Sequence, residues 1–224
     1  MTDLQDSSEM SPELPLARRA LLWAATMSAT SVLYFGSGHL AGPGTVLPEM
    51  GLDRLIEPTL LALPPYLSFF VLILLAFLKA PAARVPQLAA AIVSTAAVAA
   101  TAFLLYPTTV RFPELGSTGA LGVLLEHLRQ ADTPQNCLPS LHGAFTALCV
   151  AVLAPALAGW RRLCLVLWGA AICWSAVALR QHLTVDIAAG VVLGLASAAF
   201  WFRPSGHRGS WGIRYMRQDI HQLR

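Results

Sequence analysis

The sequence predicts an all-α polytopic membrane protein, six transmembrane helices in a bundle with both termini cytoplasmic. Three observations carry this. Of 224 residues, 56% are hydrophobic and 12% charged, where soluble domains carry about 25% charged residues. The apolar residues stand in long blocks that are apolar on every side, unlike the one-faced stripes of soluble helices. The basic residues divide unevenly between the two sets of block ends.

Residues 1–17 are polar and acidic (Asp3, Asp6, Glu9, Glu13). They lack the positive start and the small-residue cleavage site of a secretory signal, so a disordered cytoplasmic tail is expected. Residues 18–203 form the expected membrane domain, and 204–224 a basic cytoplasmic tail. Six segments are long enough to cross ~30 Å of hydrocarbon at ~1.5 Å per residue. They are Ala20–Leu40, Leu60–Leu78, Pro86–Tyr106, Leu138–Ala158, Leu163–Leu179 and Leu183–Phe202. Pro64-Pro65 predicts an irregular first turn in the second. Apolar spacing predicts a short helix over Gly119–Gln130 in the long third loop. Pro134 interrupts regular structure after it, where Asp132 and Asn136 are suited to capping.

Sidedness follows from the positive residues. Arg18, Arg19, Lys79, Arg84, Arg161, Arg162, Arg203, Arg208, Arg214, Arg217 and Arg224 lie at one set of ends; only Arg54, Arg111, Arg129 and Arg180 lie at the other. The richer side is expected to be cytoplasmic. Loops 41–59 and 107–137 and the turn 180–182 then face away from it. The net charge of +3 is scattered and forms no patch, which argues against nucleic acid. Cys137, Cys149, Cys164 and Cys173 show no metal-ligand spacing. The three inside apolar blocks read as small core residues rather than disulfide partners.

Two stretches carry the groups for chemistry. In "LPSLHGAF" (138–145), a helix is expected to start with Pro139 in its first turn. The amides of Ser140, Leu141, His142 and Gly143 would then form an open, partly positive helix end suited to an anion. The Ser140 hydroxyl adds a donor and His142 a proton carrier. In "LRQHLTVDIAAG" (179–190), His182 and Asp186 are four apart on one helix face. A carboxylate on one imidazole nitrogen leaves the other free as base or nucleophile. Two spans connect the stretches, so both histidines should meet on one face, with Arg111 and Arg180. That set suits a phosphate ester: one histidine attacks, the other protonates the leaving oxygen, and cations and amides neutralise the oxygens. With no carboxylate cluster, metal-independent chemistry without a cofactor is expected. A second run, "PSGH" at 204–207, is better spelled but misplaced. It follows the sixth span on the cytoplasmic side, and no His-x3-Asp follows it.

These motifs resemble the type 2 phosphatidic acid phosphatase superfamily, which carries Lys…Arg-Pro, Pro-Ser-x-His and Ser-Arg-x5-His-x3-Asp segments. More narrowly, "DTPQNCLPSLH" (132–142), "LDRLIEPTLLALPPYLS" (52–68) and "YPTTVRFP" (106–113) resemble the branch containing inositol phosphorylceramide synthase. The likeness spans about residues 50–200. It implies His182 as a nucleophile forming a phosphohistidine, Asp186 as its support and His142 as the acid for the leaving group. Ser140 and Arg111 would hold phosphate, with Gly143 in the same cradle. Asp132, Asn136 and Tyr106 are further candidates for substrate contact. Two departures stand out. Ala176 follows Ser175 where many members carry a phosphate-binding arginine, so Arg180 or Arg111 would assume part of that duty; and the lysine of the first motif is absent at its usual spacing.

The expected activity is hydrolysis of a membrane lipid phosphate monoester on the outer face of, by expectation, a bacterial cytoplasmic membrane. The alternative is transfer of a phospho-headgroup to a lipid or sugar hydroxyl. A lipid transporter using His and Asp as a proton relay would need mid-span polar residues in several helices, and the second, third and fifth spans are poor in them.

Overall fold

The computed structural model describes residues 14–113 and 119–203. The expected tails and the "PSGH" run fall largely or wholly outside them. Among the described residues, eight α-helices and a two-stranded contact follow in order: α1 (Leu16–Leu40), β1 (Thr45–Val46), α2 (Gly51–Leu55), α3 (Leu63–Lys79), α4 (Val85–Leu105), β2 (Thr108–Thr109), α5 (Ala120–Ala131), α6 (Leu141–Leu153), α7 (Gly159–Ala178) and α8 (Thr184–Trp201).

Among the described residues, four helical segments are long and apolar enough to cross a bilayer: Leu60–Lys79, Ala82–Leu105, Gly159–Ala178 and Thr184–Trp201. Their outer faces keep large apolar side chains exposed, among them Phe70, Val98, Leu167 and Phe200, as in an integral membrane protein. The other two expected spans differ. Helix α1 has 25 residues, but Arg18, Arg19 and several Ser and Thr residues dilute its apolar run. The α6 segment covers only Leu141–Ala156, short of the ~20 residues a span needs. Its start is delayed because Ser140, not a residue upstream, is its N-cap.

Local chemistry sets the helix starts. A 3-10 turn at Leu60–Ala62 leads into α3, which takes Pro64 and Pro65 into its first turn, where a missing amide hydrogen is harmless. The loop helix α5 starts after Gly119, whose φ is 94°, a conformation that favours glycine.

Core side chains from α3, α4, α6, α7 and α8, including Phe77, Leu88, Phe103, Leu148 and Ile172, pack together in the bundle. Helices α6 and α8 approach most closely. A Cβ on Gly190 would overlap the Ser140 carbonyl oxygen, and one on Gly194 that of Ala144. Small residues four apart let backbones meet this way. Because Ser140 and Ala144 flank His142, the same contact sets the distance between the two sequence stretches that carry histidine. Of the cysteines expected in the core, Cys164 is exposed and Cys173 half-buried. A span is apolar on its lipid face too, so apolar surroundings in sequence do not imply an interior position.

The loops at one end of the bundle are tied together. Strand β1 pairs in parallel with β2, Thr108 bridges to Asn136, and the Thr59 amide donates to Ala178 O at 3.1 Å. Arg19 lies at the other end, donating to the carbonyls of Phe77, Leu78 and Ala80.

Candidate active site

The site sits where α6 and α8 begin. Ser140, the N-cap of α6, is buried, and its Oγ accepts from the Gly143 amide at 3.3 Å. Pro139 therefore precedes the helix instead of occupying its first turn, a correction to the sequence expectation. The Ser140 amide is also taken, donating to Asp186 O at 3.0 Å. Among the described residues this leaves the Leu141 and His142 amides as the open donors of the helix end.

His142 is held by its ring. It stacks on Tyr66 at 4.4 Å and on Phe69 at 4.1 Å between centroids, both from α3. Its Nε2 has no hydrogen-bond partner among the described residues. The His182 ring lies 5.9 Å away, close enough for the two imidazoles to flank one phosphorus atom. His182 Nδ1 is 3.6 Å from Asp186 Oδ2, so Nε2 is the nitrogen turned from the carboxylate. Asp186 is fully buried. Its Oδ2 accepts from the Leu183 amide at 2.9 Å, capping α8, and its Oδ1 is unpartnered among the described residues. The carboxylate thus fixes the helix start and lies beside His182, whose Nδ1 has no hydrogen-bond partner among the described residues.

The arginines are arranged differently from the histidines. Arg180 is buried, with φ at 55°. Its Nη2 donates to Ile56 O at 3.2 Å and its Nε lies 3.9 Å from Glu49 Oε1, while Nη1 is unpartnered among the described residues. Arg111 is exposed on the stretch after β2. Neither lines the cavity described below. Tyr106 caps the end of α4 with its side chain exposed, also away from it. Gly143 is buried on the face of α6 toward α8, where a Cβ would come within 2.8 Å of Ile187 O.

A cavity of about 270 Å³ opens beside the histidines, reaching outward between α1 and α3 past Met27, Phe35, Phe70 and Ile73. His142 and His182 stand at its inner end, with Asp132, Asn136, Tyr34 and Gln181. Asp132 ends α5; its Oδ1 accepts from the Thr133 amide at 2.8 Å and from Tyr34 Oη at 2.6 Å.

Several of these residues were not anticipated as parts of a site. Tyr34, Tyr66 and Phe69 sit in apolar spans, where an aromatic residue has no distinguishing mark. Asp53 had a signal, a carboxylate in the apolar run "LDRLIEP". It is fully buried and accepts from the amides of Thr184 and Met50.

One group among the described residues could hold a metal ion. Cys137, His182 and Asp186 offer ligand atoms within 4.8 Å of one another, although Cys137 has no such spacing in sequence. An ion there would engage Asp186 and His182 themselves, so it would compete with their pairing.

Residues 107–209 match the family model of the PAP2 superfamily, whose members are phosphatases or related phosphotransferases. The match takes in both histidines, Asp186, Arg111 and Arg180, and leaves α1, α3 and Asp53 outside. No curated protein matches the chain, and no solved structure does.

Proposed function

We propose that this chain, a member of the PAP2 superfamily through residues 107–209, is a lipid phosphatase that hydrolyses a membrane lipid phosphate monoester without a metal ion. The observation that carries the reading is the cavity. Its inner end bears two histidines and its outer walls are apolar side chains of α1 and α3, a form suited to a phosphate with an acyl chain behind it.

In the proposed reaction, His182 Nε2 attacks phosphorus while Asp186 holds the proton on Nδ1. The bond from phosphorus to the lipid oxygen breaks, and His142 gives that oxygen its proton. Water then attacks the phosphohistidine, passing a proton to His142. Phosphate leaves and both histidines return to their starting states. The phosphoryl oxygens would be met by the amides of Leu141 and His142 at the positive end of α6. Ser140 and Gly143 shape that end. The unpartnered Nη1 of Arg180 and the exposed guanidinium of Arg111 are the proposed cations. Arg18, Arg19, Lys79, Arg84, Arg161, Arg162 and Arg203 toward the far end of the bundle, against Arg54, Arg111, Arg129 and Arg180 toward the site, favour a site on the outer face of the membrane.

The test uses purified protein and a panel of lipid phosphates in EDTA, following free phosphate and new phospholipids, with His182→Ala as the blank. Phosphate release that needs His182 is expected. Absence of activity on every lipid, or activity indifferent to His182→Ala, would sink the proposal. Transfer to a lipid or sugar hydroxyl is the second reading, favoured by the polar groups at the cavity's inner end. It would appear as a new phospholipid in place of free phosphate.

A further inference from the structure

The polar lining of the cavity extends beyond the histidines. Asn136 is 2% exposed. Its Nδ2 donates to Tyr34 O at 2.7 Å and to Thr133 Oγ1 at 2.9 Å. Those two acceptors fix the amide's orientation, so Oδ1 is the free end, and it is buried without a partner among the described residues. Thr30 lies one helical turn before Tyr34 on α1, is 8% exposed, and has an Oγ1 unpartnered among the described residues. Asp132 Oδ1 is occupied by Tyr34 and Thr133, while Oδ2 accepts no hydrogen bond among the described residues. Thr30, Tyr34, Asp132 and Asn136 all line the cavity.

Buried polar atoms without partners are unfavourable unless something completes them. We propose that Thr30, Asp132 and Asn136 form a hydroxyl-recognising subsite that binds an alcohol group of a lipid lying with its phosphate between His142 and His182. The inference rests on the lipid phosphatase reading and narrows it to hydroxyl-bearing ligands. Asn136 Oδ1 and Asp132 Oδ2 can only accept, so they call for a donor. The Asp132 carboxylate repels a second phosphate. Thr30 can donate to an alcohol oxygen, a service of no use to an ammonium group. The hydroxyl can belong to the phosphorylated lipid itself or to a separate acceptor alcohol, and the recognition chemistry is the same.

The experiment compares 1-oleoyl lysophosphatidic acid, which has a free hydroxyl next to its phosphate-bearing carbon, with its deoxy and amino analogues. Wild type should favour the hydroxyl lipid over the deoxy one by about tenfold or more in kcat/KM. Asn136→Leu should bring that ratio close to one. Thr30→Val, a gentler change of nearly equal volume, should lower it in the same direction, so a poorly folding Asn136 variant does not decide the matter. A second arm supplies the deoxy phosphate with added monooleoylglycerol. A phosphorylated monooleoylglycerol that forms with wild type and is reduced by Asn136→Leu assigns the subsite to the acceptor. Equal kcat/KM for hydroxyl and deoxy lipids, with no transfer, overturns the subsite while leaving the phosphatase reading intact. Preference for the amino analogue overturns the assignment to a hydroxyl. No turnover of any lipid overturns both the subsite and the phosphatase reading.

Discussion

Asp53 and Thr184 stand 131 residues apart, and the Asp53 carboxylate accepts the Thr184 amide hydrogen at 2.7 Å. Its other oxygen accepts from Met50 N, also at 2.7 Å. One fully buried carboxylate thus ties the loop after α1 to the first turn of α8, two residues beyond His182. The turn that carries the proposed nucleophile is therefore fixed at two amides: Leu183 by Asp186 and Thr184 by Asp53, the latter from outside the matched family segment.

Removing that tie should be costly. Asp53→Ala leaves two amides without their acceptor, at about 1–3 kcal/mol for a buried group. It also frees the turn carrying His182, and kcat should fall by roughly a hundredfold, as for a misplaced reacting group. Asp53→Asn keeps one acceptor and should lie between. Thermal unfolding in detergent together with kcat on a lipid phosphate checks both. Wild-type values for Asp53→Ala would show that Asp53 has no such role.

The close approach of α6 and α8 gives a second prediction. Gly190→Ala places a methyl against the Ser140 carbonyl. The helices must part, at about 1–3 kcal/mol for overpacking, and the gap between His142 and His182 must change with them. Gly36→Ala is the control, because a Cβ there meets nothing within 4 Å and alanine is the better helix former by about 0.5–1 kcal/mol. Activity should fall with the first substitution and hold with the second.

The division of labour between the histidines can be separated by the leaving group. His142→Ala should reduce hydrolysis of a lipid phosphate by about 10²–10⁴, the usual worth of a general acid or base. p-Nitrophenol leaves without a proton, so p-nitrophenyl phosphate should restore the first step alone. The expected trace is a burst of p-nitrophenol matching the enzyme concentration, followed by slow turnover, with His182→Ala showing no burst. A burst that survives in His182→Ala would reverse the assigned roles.

What the sequence made legible was mostly local. The apolar spacing that predicts a helix at Gly119–Gln130 is realised as α5 at Ala120–Ala131, and Pro64-Pro65 marks a first turn preceded by a 3-10 segment. The convergence of His142 and His182 follows from the two apolar helices between them, α6 and α7, which run out and back. Contacts between distant loops left no local mark: nothing near Asp53 announces Thr184, and nothing near Tyr34 announces Asp132 and Asn136. The start of α6 was misjudged for a related reason. Pro139 suits a helix start, but Ser140 is the residue whose hydroxyl caps the Gly143 amide, and its own amide is claimed by Asp186 O from another helix.

Arg180 offers a test that separates shape from charge. Its φ of 55° favours glycine and strains most other residues, by about 1–2 kcal/mol. Arg180→Gly therefore deletes the guanidinium and relieves that strain, whereas Arg180→Ala deletes the guanidinium and keeps the Cβ that causes it. If Arg180 serves phosphate, both variants lose activity and the glycine variant keeps its thermal stability better. Full activity in Arg180→Gly would leave Arg111 as the proposed cation, to be tested by Arg111→Ala through the KM for the lipid phosphate.

Cys137 connects the site to pH. Burial, then the nearby charges of Asp186 and Asp132, push its thiol well above the ordinary range. The folded protein therefore keeps the proton that the unfolded chain releases near pH 8.5. Below that pH the thiol is neutral in both states and costs nothing; above it the unfolded chain ionises and the folded one does not, so stability should decline. Melting temperatures measured from pH 7 to 10 should fall more steeply in wild type than in Cys137→Ala. At pH 8.5 iodoacetamide should label the exposed Cys164 well before Cys137. Rapid labelling of Cys137 in the folded protein, or identical pH profiles for the two proteins, would show that the thiol is not held in its neutral form.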